Sequence, residues 1–155
     1  MTKKLILILV SIWWGWTAII DFAVVPTVFR VIHDFFNAGE LGIALFSKLN
    51  TLEVLVSSLL IVLSLYTLKQ SGHGKLQLAL VICAWAIAMI YFSYLTPKLV
   101  GLTELWKEAD LKNLVSIAGI SDIQQEHQFY HRIYVGMDSV KLLILTTLLA
   151  INAKA

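Results

Sequence analysis

A helix needs about 20 predominantly apolar residues to cross the hydrocarbon of a bilayer, and this chain offers four such blocks. They fall within about 5–36, 40–68, 75–96 and 121–152. Composition follows from that concentration: 59% of the residues are hydrophobic and 14% are charged, against roughly 45–50% and 25% in soluble domains. The period-2 alternation of a membrane β-barrel is absent. The expected fold is all-α: a polytopic membrane protein, an antiparallel bundle of four transmembrane helices in one domain of 155 residues, in contact with the lipid bilayer.

The first block opens with Lys3-Lys4 before an apolar run. No small-x-small cleavage pattern follows, so an uncleaved first helix is expected. It runs past Pro26, which removes a backbone donor and should kink it, and ends near Phe36. Asn37-Ala-Gly39 reads as a stop and turn. The second helix carries Asn50, Glu53, Ser57 and Ser64 at helical spacing, a small polar face suited to packing on other helices. Ser71-Gly-His-Gly74 is a short turn, so the third helix is its antiparallel neighbour and ends at Pro97. The connection 97–120 reads as two short surface helices broken near Asp110. Ser121-Asp-Ile-Gln124 has the capping-box pattern that starts a helix.

Charge sets the expected orientation. Lys3, Lys4, Lys69, Lys75 and Lys154 share one side without an acid, while all 10 acidic residues lie on the other. The positive-inside rule then places both termini in the cytoplasm, in a bacterial inner membrane. No basic tract or nucleic-acid motif occurs, so nucleic acid is not an expected partner. The lone cysteine, Cys83, excludes an intrachain disulfide and reads as packing.

Ionisable residues inside spans are expensive and mark functional sites by default. Asp21, Glu53, Asp138 and Lys141 fall in the outer half of the bilayer, with Arg30 and His131 near its boundary. The three acids should face inward and pair with Arg30, Lys141 or His131, or be protonated. The first, second and fourth helices would then form an outward-facing polar site, closed behind by the third. The opposing reading is a set of ion pairs that only fixes helix register.

The histidines suggest a second chemistry. His127 and His131 stand at i and i+4, where two imidazoles can share a transition metal, with Glu126, Glu53 or Asp138 completing the site. The HExxH glutamate is missing, so metalloprotease chemistry is not indicated. His33 with His131 could ligate a b-type haem, and no c-type CxxCH occurs. His73 sits in a turn and reads as solvated. Trp13, Trp14 and Trp16 read as packing and lipid contact or as an aromatic wall for a flat ligand.

Three segments carry a family resemblance. They are VVPTVFRVIHDFFNAGELGIALF from Val24, LTPKL from Leu95 and FYHRIYVGMDSVKLL from Phe129. Together they resemble the four-helix membrane family of unknown function named for vertebrate transmembrane protein 205. The resemblance implies a four-helix fold and shared importance for His131 and the Pro26–Arg30 stretch. Tyr134 and Asp138 stand where that family has a serine and an asparagine. A weaker similarity is to four-helix copper-resistance and protoporphyrinogen-oxidase-type membrane proteins, which implies histidines at helix ends as cofactor ligands.

Three functional expectations result. The first is an ion- or ligand-binding site of Asp21, Arg30, Glu53, His131, Asp138 and Lys141, serving transport or small-ligand handling. The second is a metal- or haem-bearing redox or enzyme subunit using His131 with His127 or His33. The third is an assembly protein, in a homo-oligomer or with a membrane partner, whose charges only fix packing.

Overall fold

The computed structural model describes residues 2–69, 72–111 and 118–153, and every regular element among them is helical. Helix α1 spans Thr2–Ile19, a π turn covers Ile20–Val24, and α2 spans Val25–Val31. Helix α3 runs over Phe35–Thr67. Helix α4 spans Gly74–Ile90, a second π turn covers Tyr91–Leu95, and α5 spans Thr96–Leu111. Helix α6 covers Ala118–Ala153. Four helical rods, Thr2–Val31, Phe36–Thr67, Gly74–Asp110 and Ser121–Ala153, are long and apolar enough to cross a membrane. At 1.5 Å per residue the 33 residues of α3 extend about 50 Å, well beyond about 30 Å of hydrocarbon.

Several helix ends differ from the sequence expectation, each for a local reason. The first rod stops at Val31 rather than Phe36, because Asp34 caps α3: its carboxylate accepts from the backbone N–H of Phe36 (2.9 Å) and Asn37 (3.0 Å). Asn37-Ala-Gly39 therefore lies inside α3 and is no stop. Nor does Pro97 end the third rod. The chain widens into the π turn before it and continues as α5. Pro26 is handled in the same way. In both turns the next N–H reaches back five residues, Val25 to the Ile20 carbonyl and Thr96 to the Tyr91 carbonyl. The wider turn absorbs the mismatch that a proline imposes on the preceding carbonyls. Helix α6 begins at Ala118, so Ser121 lies within it and is not its cap. The second surface helix expected after Asp110, along with Ser71 and Lys154, lies outside the described residues.

Neighbouring rods are antiparallel. On α3 and α4, Trp85 donates to Ser58 (3.2 Å) and Gln77 to Ser64 (3.1 Å). On α4–α5 and α6, Tyr91 stacks on Tyr134, Tyr94 meets Tyr130, and Lys98 pairs with Glu126. Gly74 lets the start of α4 approach Leu68 closely: a Cβ there would stand 2.4 Å from the Leu68 carbonyl oxygen. The bundle interior has three layers. At the end holding both chain ends, Ile6, Val10, Trp13, Leu60, Val81, Ala84, Leu145 and Leu148 form an apolar core. At the other end Tyr91, Leu95 and Tyr134 pack with Phe46 and Leu99. Between them lies a layer of charge. Outside, Ile8, Phe22, Leu55, Val62 and Leu143 are exposed, as a lipid-facing surface requires.

Candidate functional site

The charged layer is built on the polar face of α3, where Asn50, Glu53, Ser57 and Ser64 are all buried. Glu53 is its centre. Its Oε1 accepts from Lys141 Nζ (2.6 Å), Trp13 Nε1 (3.0 Å) and Thr17 Oγ1 (3.3 Å), tying α1, α3 and α6 at one atom. Its Oε2 is buried and has no hydrogen-bond partner among the described residues. One carboxylate oxygen is thus saturated and the other is left over, an imbalance that buried polar groups normally avoid.

Helix α6 supplies the counter-charge. Tyr134, Asp138 and Lys141 recur at i, i+4 and i+7 and share its inner face. Lys141 pairs with Asp138 as well as with Glu53. Its ammonium also lies 5.0 Å from the centroid of the Tyr91 ring, within cation–π range. The Tyr91 hydroxyl donates to the Tyr134 carbonyl (3.0 Å) and contacts Asp138 Oδ1 (3.4 Å). The two rings are stacked at 4.2 Å and 14°. The network then runs outward: the Tyr134 hydroxyl donates to Asn50 Oδ1 (3.1 Å), and Asn50 Nδ2 to Thr96 Oγ1 (2.6 Å).

Asp21 completes the cluster from α1's π turn. It lines a small cavity together with Glu53, Asn50, Tyr134, Asp138 and Lys141, and its carboxyl interacts with Asp138, Lys141 and Glu53. The cavity has about 10 Å³, room for one water. Three carboxyl groups and one ammonium therefore meet around it. One of the carboxyls, Asp21, stands on the π turn before Pro26, and Tyr91, whose ring lies beside the Lys141 ammonium, stands on the one before Pro97. Such turns recur at functional sites because they re-aim side chains.

Of the six residues expected to form this site, four meet. Arg30 is exposed on α2 and His131 is exposed on α6, and neither lines the cavity. The sequence reading overlooked Trp13 and Thr17 as donors, and Tyr91, Tyr134 and Asn50 as the network's outward arm. Their helical spacing from the charges was visible: Trp13 and Thr17 precede Asp21 by eight and four residues, and Tyr134 precedes Asp138 by four.

The histidines lie elsewhere. His127 and His131 stack with parallel rings, centroids 6.3 Å apart, and Trp106 meets His127 edge-on. Glu126 turns to Lys98 at 2.8 Å. His33 is exposed between α2 and α3, with no contact to His131 among the described residues. No three His, Cys, Asp or Glu side chains among those residues are grouped as a metal ion would require. Trp14 donates to Thr146 at 3.0 Å, while the buried Trp16 Nε1 has no partner among the described residues. Cys83 is exposed on α4 rather than packed inside.

Four apolar rods around a buried charged layer define a small polytopic membrane protein. Residues 8–108 match a family described as a domain of unknown function (DUF4149). The match covers most of the chain, including most of α1, all of α3 and α4 and the Glu53 and Tyr91 positions, and the chain belongs to that family. No curated protein and no solved structure matches it.

Proposed function

We propose that this chain is an integral membrane protein that takes up a small positive species, a proton first, at the Asp21–Glu53–Asp138–Lys141 cluster. The observation that carries this reading is the unpartnered Glu53 Oε2 beside a cavity where three carboxyls face one ammonium. Fully ionised, the cluster would hold two uncompensated negative charges in a low-dielectric layer, a severe desolvation penalty. A proton shared among the carboxyls relieves it, and the facing Asp21 and Asp138 carboxyls are the natural place for one.

The polar path leads one way, through the Tyr134 hydroxyl, Asn50 and Thr96, past the Tyr91–Leu95–Tyr134 cluster. The apolar layer of Val10, Trp13, Leu60, Val81 and Leu145 closes the end that holds both chain ends. The positive-inside distribution makes that end cytoplasmic, so exchange occurs with the extracytoplasmic side. Binding or sensing therefore fits better than conduction through one bundle. The resemblance to the transmembrane protein 205 family adds no activity to this reading, and the Arg30 and His131 it singles out do not line the cavity.

A second reading has its own support. Glu53 Oε1 joins three helices, so the cluster could serve only to fix packing. Infrared difference spectra of reconstituted protein, taken between mildly acidic and mildly alkaline pH, separate the two. Proton uptake gives a protonated-carboxyl band that changes with pH and disappears in Asp21→Asn or Glu53→Gln. A wild-type spectrum without any titrating carboxyl band leaves the packing role alone standing.

A further inference from the structure

A second cavity lies outside the charged layer. It is a groove of about 350 Å³ between α3 and α5, lined by Ser47, Asn50, Phe92, Thr96, Val100 and Glu104 among others. That volume lies within the range of small-molecule sites. Its walls are mixed: an aromatic ring and an aliphatic side chain beside two hydroxyls and an amide. Glu104 is its one ionisable lining group.

The acids near this end of the bundle are not equivalent. Glu126 is held by Lys98 and Glu40 by Lys107. Glu104 has no ion-pair or hydrogen-bond partner among the described residues, and it is the one that lines the groove. Thr96 and Glu104 are eight residues apart on α5, about 12 Å along the helix. The groove thus runs from a carboxylate at its outer end to a hydroxyl-and-amide floor, with apolar walls between.

We propose that this groove binds a small amphipathic amine. Its ammonium sits on Glu104 and its apolar body lies against Phe92 and Val100. Asn50 closes the floor. It lines both the groove and the inner cavity, and its hydrogen bonds to Thr96 and Tyr134 partition them. The amine therefore stops short of the Glu53–Lys141 pair, and its binding does not depend on proton uptake there. A volume of about 350 Å³ suits a free small molecule rather than a two-chain lipid.

Calorimetry on the full chain in phosphatidylcholine nanodiscs tests this with benzylamine, against empty nanodiscs. Saturable binding is expected, weakened about tenfold or more in Glu104→Gln, since a charge-assisted contact is lost. Gly101 also lines the groove, and a Cβ there meets nothing within 4 Å. Gly101→Trp should therefore fold and abolish binding by filling the space. Benzyl alcohol, with the same body and no charge, should bind at least tenfold more weakly. The proposal is overturned if benzylamine shows no saturable binding, if Glu104→Gln or benzyl alcohol matches the wild-type result, or if phosphatidylethanolamine in the nanodisc displaces the amine. The last outcome would identify a lipid headgroup as the occupant. Glu104 is exposed, so Glu104→Gln remains informative if Gly101→Trp fails to fold.

Discussion

Lys141 Nζ and Glu53 Oε1 meet at 2.6 Å with both side chains 3% exposed, joining α6 to α3 across 88 residues of chain. Few contacts can so constrain the relative height of two membrane helices. A one-turn slip of either would strand Glu53 in the bundle without its cation, since Lys141 keeps Asp138 on its own helix.

This predicts an unequal pair of single substitutions and a partial rescue. Lys141→Met leaves Glu53 and Asp138 facing each other without a cation, and should lower stability by about 3–5 kcal/mol. Glu53→Gln leaves Lys141 paired with Asp138 and should cost less. Combined with Lys141→Met it removes one of the stranded acids, so the double variant should be more stable than Lys141→Met alone. Reversible unfolding in mixed micelles gives the double-mutant cycle. Simple additivity would mean that the pair is not energetically coupled.

Asn50 should behave differently, because its role is to satisfy neighbours rather than to balance charge. In Asn50→Leu the Tyr134 hydroxyl and Thr96 lose their partner inside the bundle. A loss of about 1–3 kcal/mol is expected. Tyr134→Phe removes the donor together with the need for an acceptor, so added to Asn50→Leu it should restore part of that loss. Thermal denaturation in detergent measures both, and a double variant weaker than Asn50→Leu would contradict the assignment.

The spans were legible because lipid leaves a strong signature: long apolar runs with few charges. The charges of the buried layer were legible for the converse reason. Asp21, Glu53, Asp138 and Lys141 lie where a charge is too expensive to face lipid. Arg30 and His131 do not line the cavity; they stand near rod ends, where water can solvate them, so proximity in sequence to the buried charges implied no convergence. Tyr91, Tyr134 and Trp13 were not singled out as site residues, because an aromatic side chain in a membrane helix is compatible with lipid, core or site alike. The helix ends failed where punctuation was read too literally. Pro97 and Asn37-Ala-Gly39 look like terminators, yet a π turn carries the chain through the first and the Asp34 cap overrides the second.

The prolines give the last prediction. Val25 N–H reaches Ile20 and Thr96 N–H reaches Tyr91, each one residue before a proline, so both widened turns stand at the same offset from a missing donor. If the proline is what holds the turn open, Pro26→Ala restores an N–H and lets Ile20–Val24 relax toward an ordinary α-turn. Asp21 would then rotate relative to the rest of α1 and lose its place beside Asp138. Because α2 has no buried residue, little packing is disturbed, and stability should change by less than about 1 kcal/mol. The carboxyl band assigned to the cluster should nevertheless weaken or shift. Pro97→Ala should act in the same way on Tyr91, but Tyr91 is fully buried and stacked, so there the stability loss should be larger. Infrared spectra and unfolding of the two variants, taken side by side, check this. A Pro26→Ala protein with an unchanged carboxyl band would show that packing, and not the proline, sets the turn that aims Asp21.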